Sequence, residues 1–303
     1  MKEAVMKNPV IPGYTGDPFV MKDGDDYYMV LTSDSPVWQE ASFACYHSKD
    51  LQNWSAPKQI LNVAELGWAS KMAWAPTMLK HEGMYYFCFV AEQQIGIAVC
   101  SEPMGRFRDV LGRPLLERDS FGFQTIDPCL FKDDDGRCYL LWGQGKCYIW
   151  EIMLSPEDVH FVGEPKSLSD DFYWQRSQDP GRFDTTIYNE APDLIKIGDR
   201  YLFSWAIYDV LDYRYAMRYA WSTNPMGPYI MPLDYDHDNI LLQGRNNITG
   251  CGHACVTEYG GEYYITYGRH TKDRTRGMGR EMCTEKIQFI DADHIIAIPT
   301  ASE

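Results

Sequence analysis

The sequence predicts an all-β fold: a five-bladed β-propeller with four-stranded antiparallel blades, in one domain spanning residues 1–303. Three observations carry the prediction. One unit of about sixty residues, near the length of a propeller blade, recurs five times. Each copy opens with a short apolar strand, turns through Gly and Asp, and returns as an aromatic-rich strand, which is a hairpin pattern. Almost nothing carries the 3.6-residue apolar period of a long amphipathic helix. A two-sheet sandwich also uses many short strands, but it does not account for the fivefold return of a whole unit.

The first hairpin runs from Asp17-Pro18-Phe19-Val20 to Thr32 around Lys22-Asp23-Gly24-Asp25, and the second from Ala75-Pro76-Thr77-Met78 to Val90 around Lys80-His81-Glu82-Gly83. The third runs from Asp127-Pro128-Cys129-Leu130 to Trp142 around Asp133-Asp134-Asp135-Gly136. The fourth runs from Ala191-Pro192-Asp193-Leu194 to Trp205 around Gly198-Asp199, and the fifth from His253-Ala254-Cys255-Val256 to Tyr267 around Tyr259-Gly260-Gly261. Gly and Asp in these turns supply the positive-φ positions that tight hairpins need. A third strand follows each hairpin, at Ser42–Tyr46, Ile95–Val99, Cys147–Glu151, Tyr215–Ala220 and Glu281–Thr284, and a fourth, outer strand is expected, as at Trp54–Ile60.

With 45% hydrophobic residues the chain can build a sizeable core. Its 14% aromatic content suits strands and sugar-stacking surfaces alike. A net charge of −15 argues against nucleic acid and anionic membrane surfaces as partners and leaves a neutral ligand open. No stretch reaches the ~18 apolar residues of a membrane span, and the opening residues Met1–Lys7 lack the apolar run of a signal peptide, so a cytoplasmic location is expected of this start. The nine Cys are scattered, odd in number and without a CxxC pair, as in a reduced cytosolic protein. Cys251, His253 and Cys255 form the one local cluster with zinc-ligand chemistry, without an evident fourth ligand. The sequence does not set an oligomeric state.

In a propeller the opening strands line the axis, and their first residues meet at one mouth of the channel. Asp17, Asp127 and Glu190, from blades one, three and four, then converge although they are far apart in sequence. Acids are depleted in strands, so three at near-equivalent positions need an account. Two carboxylates across a pocket are the machinery of glycoside hydrolysis: one is protonated to donate to the leaving oxygen, the other ionised to activate water or attack carbon. A third carboxylate nearby raises the acid's pKa by like-charge repulsion.

The ordered runs Gly16-Asp17-Pro18-Phe19, Trp74-Ala75-Pro76, Ile126-Asp127-Pro128 with Asp134-Asp135-Gly136, Asn189-Glu190-Ala191-Pro192-Asp193 and Gly252-His253-Ala254 resemble glycoside hydrolase family 43 over essentially the whole chain. The resemblance implies an inverting enzyme acting on arabinose- and xylose-containing glycans, with an oligosaccharide as its partner. In that pattern Asp17 resembles the general base, Glu190 the general acid, and Asp127 the third acid that orients Glu190 and modulates its pKa. Inversion implies a separation of roughly 6.5 to 9.5 Å between the carboxyls of Asp17 and Glu190. The resemblance also implies a His near the channel axis beside a bound calcium or its waters, here His253, with contact through water because calcium prefers oxygen ligands. It implies no organic cofactor.

The resemblance implies that Trp74 is a stacking platform for the sugar, with Phe43 and Trp38 as weaker candidates, and that an Arg of the last blade, either Arg269 or Arg280, holds a sugar hydroxyl or the base. The insertions Ser35–Ser42, Asp170–Tyr188 and Tyr208–Arg214 are candidate pocket walls, and their Trp, Tyr and Arg residues point to a closed pocket and removal of terminal arabinose or xylose. An endo-acting arabinanase and a non-catalytic glycan- or protein-binding propeller are the alternatives. The related fructosidases carry Arg before the middle Asp-Pro and Cys after the acid Glu; Ile126 and Ala191 count against that group.

Overall fold

The computed structural model describes residues 6–34, 38–178, 187–232, 239–272 and 279–301. Five antiparallel sheets follow one another along the chain as the blades of a propeller. Blade one is β1 (Thr15–Asp23), β2 (Asp26–Ser33), β3 (Ser42–Ser48) and β4 (Lys58–Asn62). Blade two is β5 (Trp74–His81), β6 (Met84–Ala91), β7 (Gln94–Cys100) and β8 (Arg108–Asp109), and blade three β9 (Cys129–Lys132), β10 (Cys138–Trp142), β11 (Tyr148–Leu154) and β12 (Val159–Ser167). After helix α1 (Ser169–Gln178), blade four is β13 (Glu190–Ile197), β14 (Arg200–Ile207), β15 (Ala216–Ser222) and β16 (Ile240–Leu242). Blade five has three named strands, β17 (Gly252–Tyr259), β18 (Glu262–His270) and β19 (Arg280–Lys286).

The N-terminal segment occupies the outer edge of blade five. Ile11 forms an antiparallel bridge with Met282, and Asn8 exchanges hydrogen bonds with the backbone of Thr284 while its amide also reaches Glu285 Oε1 at 2.7 Å. This closes the ring without a covalent link.

Turn chemistry fixes the hairpins as expected. Tyr259 pairs with Glu262 around Gly260-Gly261, both at positive φ, and His81 pairs with Met84 around Glu82-Gly83, also both positive. Such two-residue turns match the twist of the strands they join. The outer strand of blade one begins later than the Trp54–Ile60 segment. Asp50 accepts the N–H groups of Gln52 and Asn53, and Trp54 Nε1 donates back to Leu51 O at 3.1 Å, which holds Trp54 in the preceding turn.

The core is divided into five apolar clusters, one at each blade junction. Side chains on alternate positions of facing sheets fill these wedges, as close packing requires. Helix α1 caps the junction of blades three and four, with Phe172 stacked on Trp205 at 4.3 Å. No helix among the described residues is long and apolar enough to cross a membrane.

Polar ties also join the inner strands. Two residues past each repeat start, Thr77 Oγ1 accepts the N–H of Leu130, Cys129 Sγ that of Leu194, Asp193 Oδ2 that of Val256, and Cys255 Sγ that of Val20. Each is a side chain of one blade accepting from the backbone of the next. Phe19 occupies the corresponding position in blade one and packs as an apolar side chain instead.

Candidate active site

Asp17, Ala75, Asp127, Ala191 and His253 all adopt φ between 39 and 57°. They are the first residues of the five sequence repeats. Positive φ at a non-glycine residue is costly, and here it recurs once per blade. Ladder register shifts at the same place in blades one, two, four and five, between Gly16 and Phe19, Trp74 and Thr77, Glu190 and Asp193, and Gly252 and Ala254. A bulge breaks strict alternation. In blade three, Ile126 and Asp127 precede the ladder, which begins at Cys129, and both line the pocket.

The pocket encloses about 300 Å³. Asp17, Asp127, Glu190, His253, Arg280 and Trp74 all line it, so blades one to five each contribute. Trp38 lies at its wall, edge-on to Trp74 with centroids 6.3 Å apart, and Trp74 Nε1 donates to Trp38 O at 3.0 Å.

The two carboxylates with proposed proton roles sit in opposite electrostatic surroundings. Burial acts to raise the pKa of Asp17, but the charges and hydrogen bonds of Arg280 and His253 outweigh it and hold the carboxyl well below its ordinary range. His253 Nδ1 lies 3.0 Å from Asp17 Oδ1, and Arg280 spans both Asp17 oxygens, with Nη2 at 3.1 Å from Oδ2. Glu190 is pushed up to about 7, first by burial and then by the Asp127 charge, against the hydrogen bonds of Tyr215 and Gln144. Tyr215 OH donates to Glu190 Oε1 and Gln144 Nε2 to Oε2, each at 2.6 Å. Asp127 rises to about 6 through burial, which exceeds the pull of His253, while Asp17 adds to the rise. Burial lowers the His253 pKa, but Asp17 and Asp127 reverse this and raise it to about 9, so the ring is an imidazolium at neutral pH.

Two glycines make the approach possible. A Cβ on Gly16 would fall 1.9 to 2.4 Å from the Arg280 guanidinium, and one on Gly252 would fall 2.4 Å from the Tyr215 ring. Both sit where other blades carry Trp74, Ile126 or Glu190.

Several expected site residues lie elsewhere. Phe43 is fully buried at the junction of blades one and two, 5.1 Å from Phe87 and 5.6 Å from Phe89, so it is a core residue and not a sugar platform. Arg269 pairs with Glu281 at 2.8 Å and donates to Thr300 O, away from the pocket lining; Arg280 is the arginine of blade five that reaches the acids. Of the expected walls, Tyr208–Arg214 supplies Asp209, Val210 and Leu211, and Ser35–Ser42 supplies Trp38, with residues 35–37 outside the described ones. In the Asp170–Tyr188 wall, Phe172 packs on blade four and Ile187 and Tyr188 are buried in the same cluster, and residues 179–186 lie outside the described ones.

Among the described residues no three His, Cys, Asp or Glu side chains gather in a set able to hold a metal ion. Cys251 is a core residue, and Cys255 Sγ accepts from Val20, so the zinc cluster does not assemble. The inner-strand residues below the acids, Thr77, Cys129, Asp193 and Cys255, offer two thiols and one carboxylate already engaged with Val256 and Cys129. Calcium requires six to eight oxygens. Among the described residues this donor set gives calcium few oxygens of its own, so the ion that the resemblance implies would be held largely through water, and His253 turns Nδ1 toward Asp17 and Asp127.

A propeller whose axial pocket holds one carboxyl shifted down and another shifted up has the pair of groups that acid–base hydrolysis uses. The family model described as Glycosyl hydrolases family 43 matches residues 6–295, and the chain belongs to that family and is a glycoside hydrolase. It is 26% identical over 307 residues to a β-D-galactofuranosidase of Aspergillus niger, covering 96% of this chain and 84% of that protein. It is 27% identical to a β-xylosidase of Bacillus subtilis, covering 94% of this chain and 55% of that protein, so it spans about half of that relative. The solved structure of a thermostable family-43 glycoside hydrolase superposes with a TM-score of 0.78 at 23% identity, covering 98% of this chain and 97% of that one. An α-L-arabinofuranosidase from Clostridium thermocellum gives 0.72 at 22% identity, covering 95% and 94%.

Residues that sequence reasoning missed are Asp34, Gln144, Tyr215 and Asp193. Asp193 stood inside the Glu190 motif, but its partner Val256 belongs to another blade. Asp34, Gln144 and Tyr215 sit on strands or loops beyond the repeat starts and carried no local signal.

Proposed function

We propose that the protein is an inverting, exo-acting glycosidase that releases terminal arabinose or xylose from oligosaccharides, with Asp17 as general base and Glu190 as general acid. The observation that carries this reading is the opposed pKa displacement of the two carboxyls, Asp17 far down and Glu190 up to about 7. An ionised Asp17 takes a proton from water as the water attacks the anomeric carbon. Glu190, still protonated in part at neutral pH, delivers its proton to the leaving oxygen. Asp127 accepts the N–H of Ala191 and keeps Glu190 proton-retaining by its charge.

The exo preference rests on pocket size. About 300 Å³ is at the small end for ligand pockets, and Trp38, Val210 and Leu211 wall it. The kinship with a β-D-galactofuranosidase supports testing furanosides beyond arabinose.

The test is nitrophenol release from aryl α-L-arabinofuranoside, β-D-xyloside and β-D-galactofuranoside by the parent, Asp17→Asn and Glu190→Ala, with the anomer of the first product read by NMR. Turnover of a pentoside, lost in both variants and giving the inverted anomer, supports the reading. Retained release of sugar by Glu190→Ala from an oligosaccharide, whose leaving alcohol needs the proton, overturns the acid assignment; a galactofuranoside as sole substrate overturns the sugar.

A further inference from the structure

Arg280 is shared between two acids. Its Nε and Nη2 donate to Asp34 Oδ2 and Oδ1 at 2.9 and 2.8 Å, its Nη2 and Nη1 donate to Asp17, and its backbone N–H reaches Asp34 Oδ2 at 3.2 Å. Both edges of the guanidinium fork are therefore used as bidentate pairs, the geometry that fixes an arginine most fully. Asp34 follows β2 directly, its N–H donates to Tyr14 O at 2.8 Å, and its side chain is shielded from solvent.

We propose that Asp34 is a positioning residue for hydrolysis: it clamps one edge of Arg280 so that the other edge meets Asp17 in a single orientation. The proposal rests on Asp17 being the base. An ionised carboxylate offers about four acceptor sites. Arg280 and His253 fill those of Oδ1, and Arg280 Nη2 fills one of Oδ2. The remaining Oδ2 site is where a water would be held for attack. If Arg280 swings, that open site swings with it. Asp34 also shares the positive charge of Arg280, which would otherwise fall wholly on the base. Gly16 provides the empty volume through which the guanidinium passes, since a methyl there would overlap it.

The groups facing Asp17 are Arg280 and His253 of blade five and Asp127 of blade three. None of these is on its own strand, so orientation must be enforced from outside β1.

The experiment is a double-mutant cycle with Asp34→Asn and Arg280→Lys on an aryl glycoside that the parent turns over, with kcat and KM read separately and folding checked by the thermal transition. Asp34→Asn is expected to lower kcat 10- to 100-fold with KM changed less than threefold. In the Arg280→Lys background the same substitution is expected to cost less than threefold, because Asp34 acts through Arg280. Gly16→Ala, which removes no charge and no hydrogen bond of its own, is expected to reproduce the kcat loss and serves if Asp34→Asn does not fold. Parental kcat in folded Asp34→Asn or Gly16→Ala overturns the proposal, as do fully additive losses in the cycle. Full activity in Asp17→Asn would instead remove the base assignment on which it rests.

Discussion

Asp127 Oδ2 accepts the backbone N–H of Ala191 at 3.0 Å, one residue past Glu190. Asp127 thus holds the strand that carries Glu190 while its charge acts on Glu190 through space. Asn at position 127 can still accept this bond but carries no charge. Asp127→Asn should therefore lower the pKa of Glu190, moving the alkaline limb of the kcat/KM profile about one unit below its position near 7. A pH profile on an aryl glycoside checks this; an unmoved limb would mean that the two acids are not coupled.

Tyr215→Phe should move the same limb the other way. The hydroxyl donates to Glu190 Oε1 and favours the ionised form, so its loss leaves burial and Asp127 less opposed. The expected profile keeps its activity further into the alkaline range, and the direction of the shift, opposite to that of Asp127→Asn, is the diagnostic.

Asp193 links pH to stability. Burial raises its pKa from 3.8 to about 7, against the Val256 N–H and Cys129. A carboxyl raised on folding contributes stability that is fully present below its unfolded pKa and lost as pH rises through the folded one, here across pH 4 to 7, by up to about 4 kcal/mol. Asp193→Asn keeps an acceptor for Val256 and removes the titration. Denaturant unfolding at pH 5 and pH 8 should show a smaller loss for the variant than for the parent.

Phe43→Ala and Arg269→Ala should separate stability from catalysis. Phe43 lies at 0% exposure between Phe87 and Phe89, so truncation should cost about 3–5 kcal/mol. Arg269→Ala strands Glu281 and the Thr300 carbonyl and should also lower the thermal midpoint. At temperatures where both variants are folded, KM and kcat should match the parent; a raised KM for Phe43→Ala would restore it to the sugar site.

The fivefold architecture was legible because each hairpin carries its own turn residues and its own apolar pattern. The alignment even placed the five repeat starts on residues that take positive φ; in blades one to four an acid or an alanine directly before proline marks the bulge locally, while His253, with no proline beside it, followed from the repeat spacing. The acids followed from that register. What stayed hidden depends on contacts across blades. Nothing near Asp34 signals that Arg280, more than two hundred residues later, folds onto it, and nothing near Arg269 signals that Glu281 claims it instead of a substrate. Phe43 reads like any aromatic on an inner face until the neighbouring blade is in place.

The closure between Ile11 and Met282 has a consequence for how the molecule comes into being. The segment before blade one must wait for blade five to be made, since Asn8 and Thr284 are 276 positions apart. Blades one to four can assemble as their hairpins emerge, each from contacts close in the chain, but the fifth wedge of the core stays open until its final strand arrives. Arg280 stands on that strand. Asp17 receives Arg280 only when the ring shuts, so a chain that stops short of blade five carries its inner-strand acids without the guanidinium that pairs with one of them.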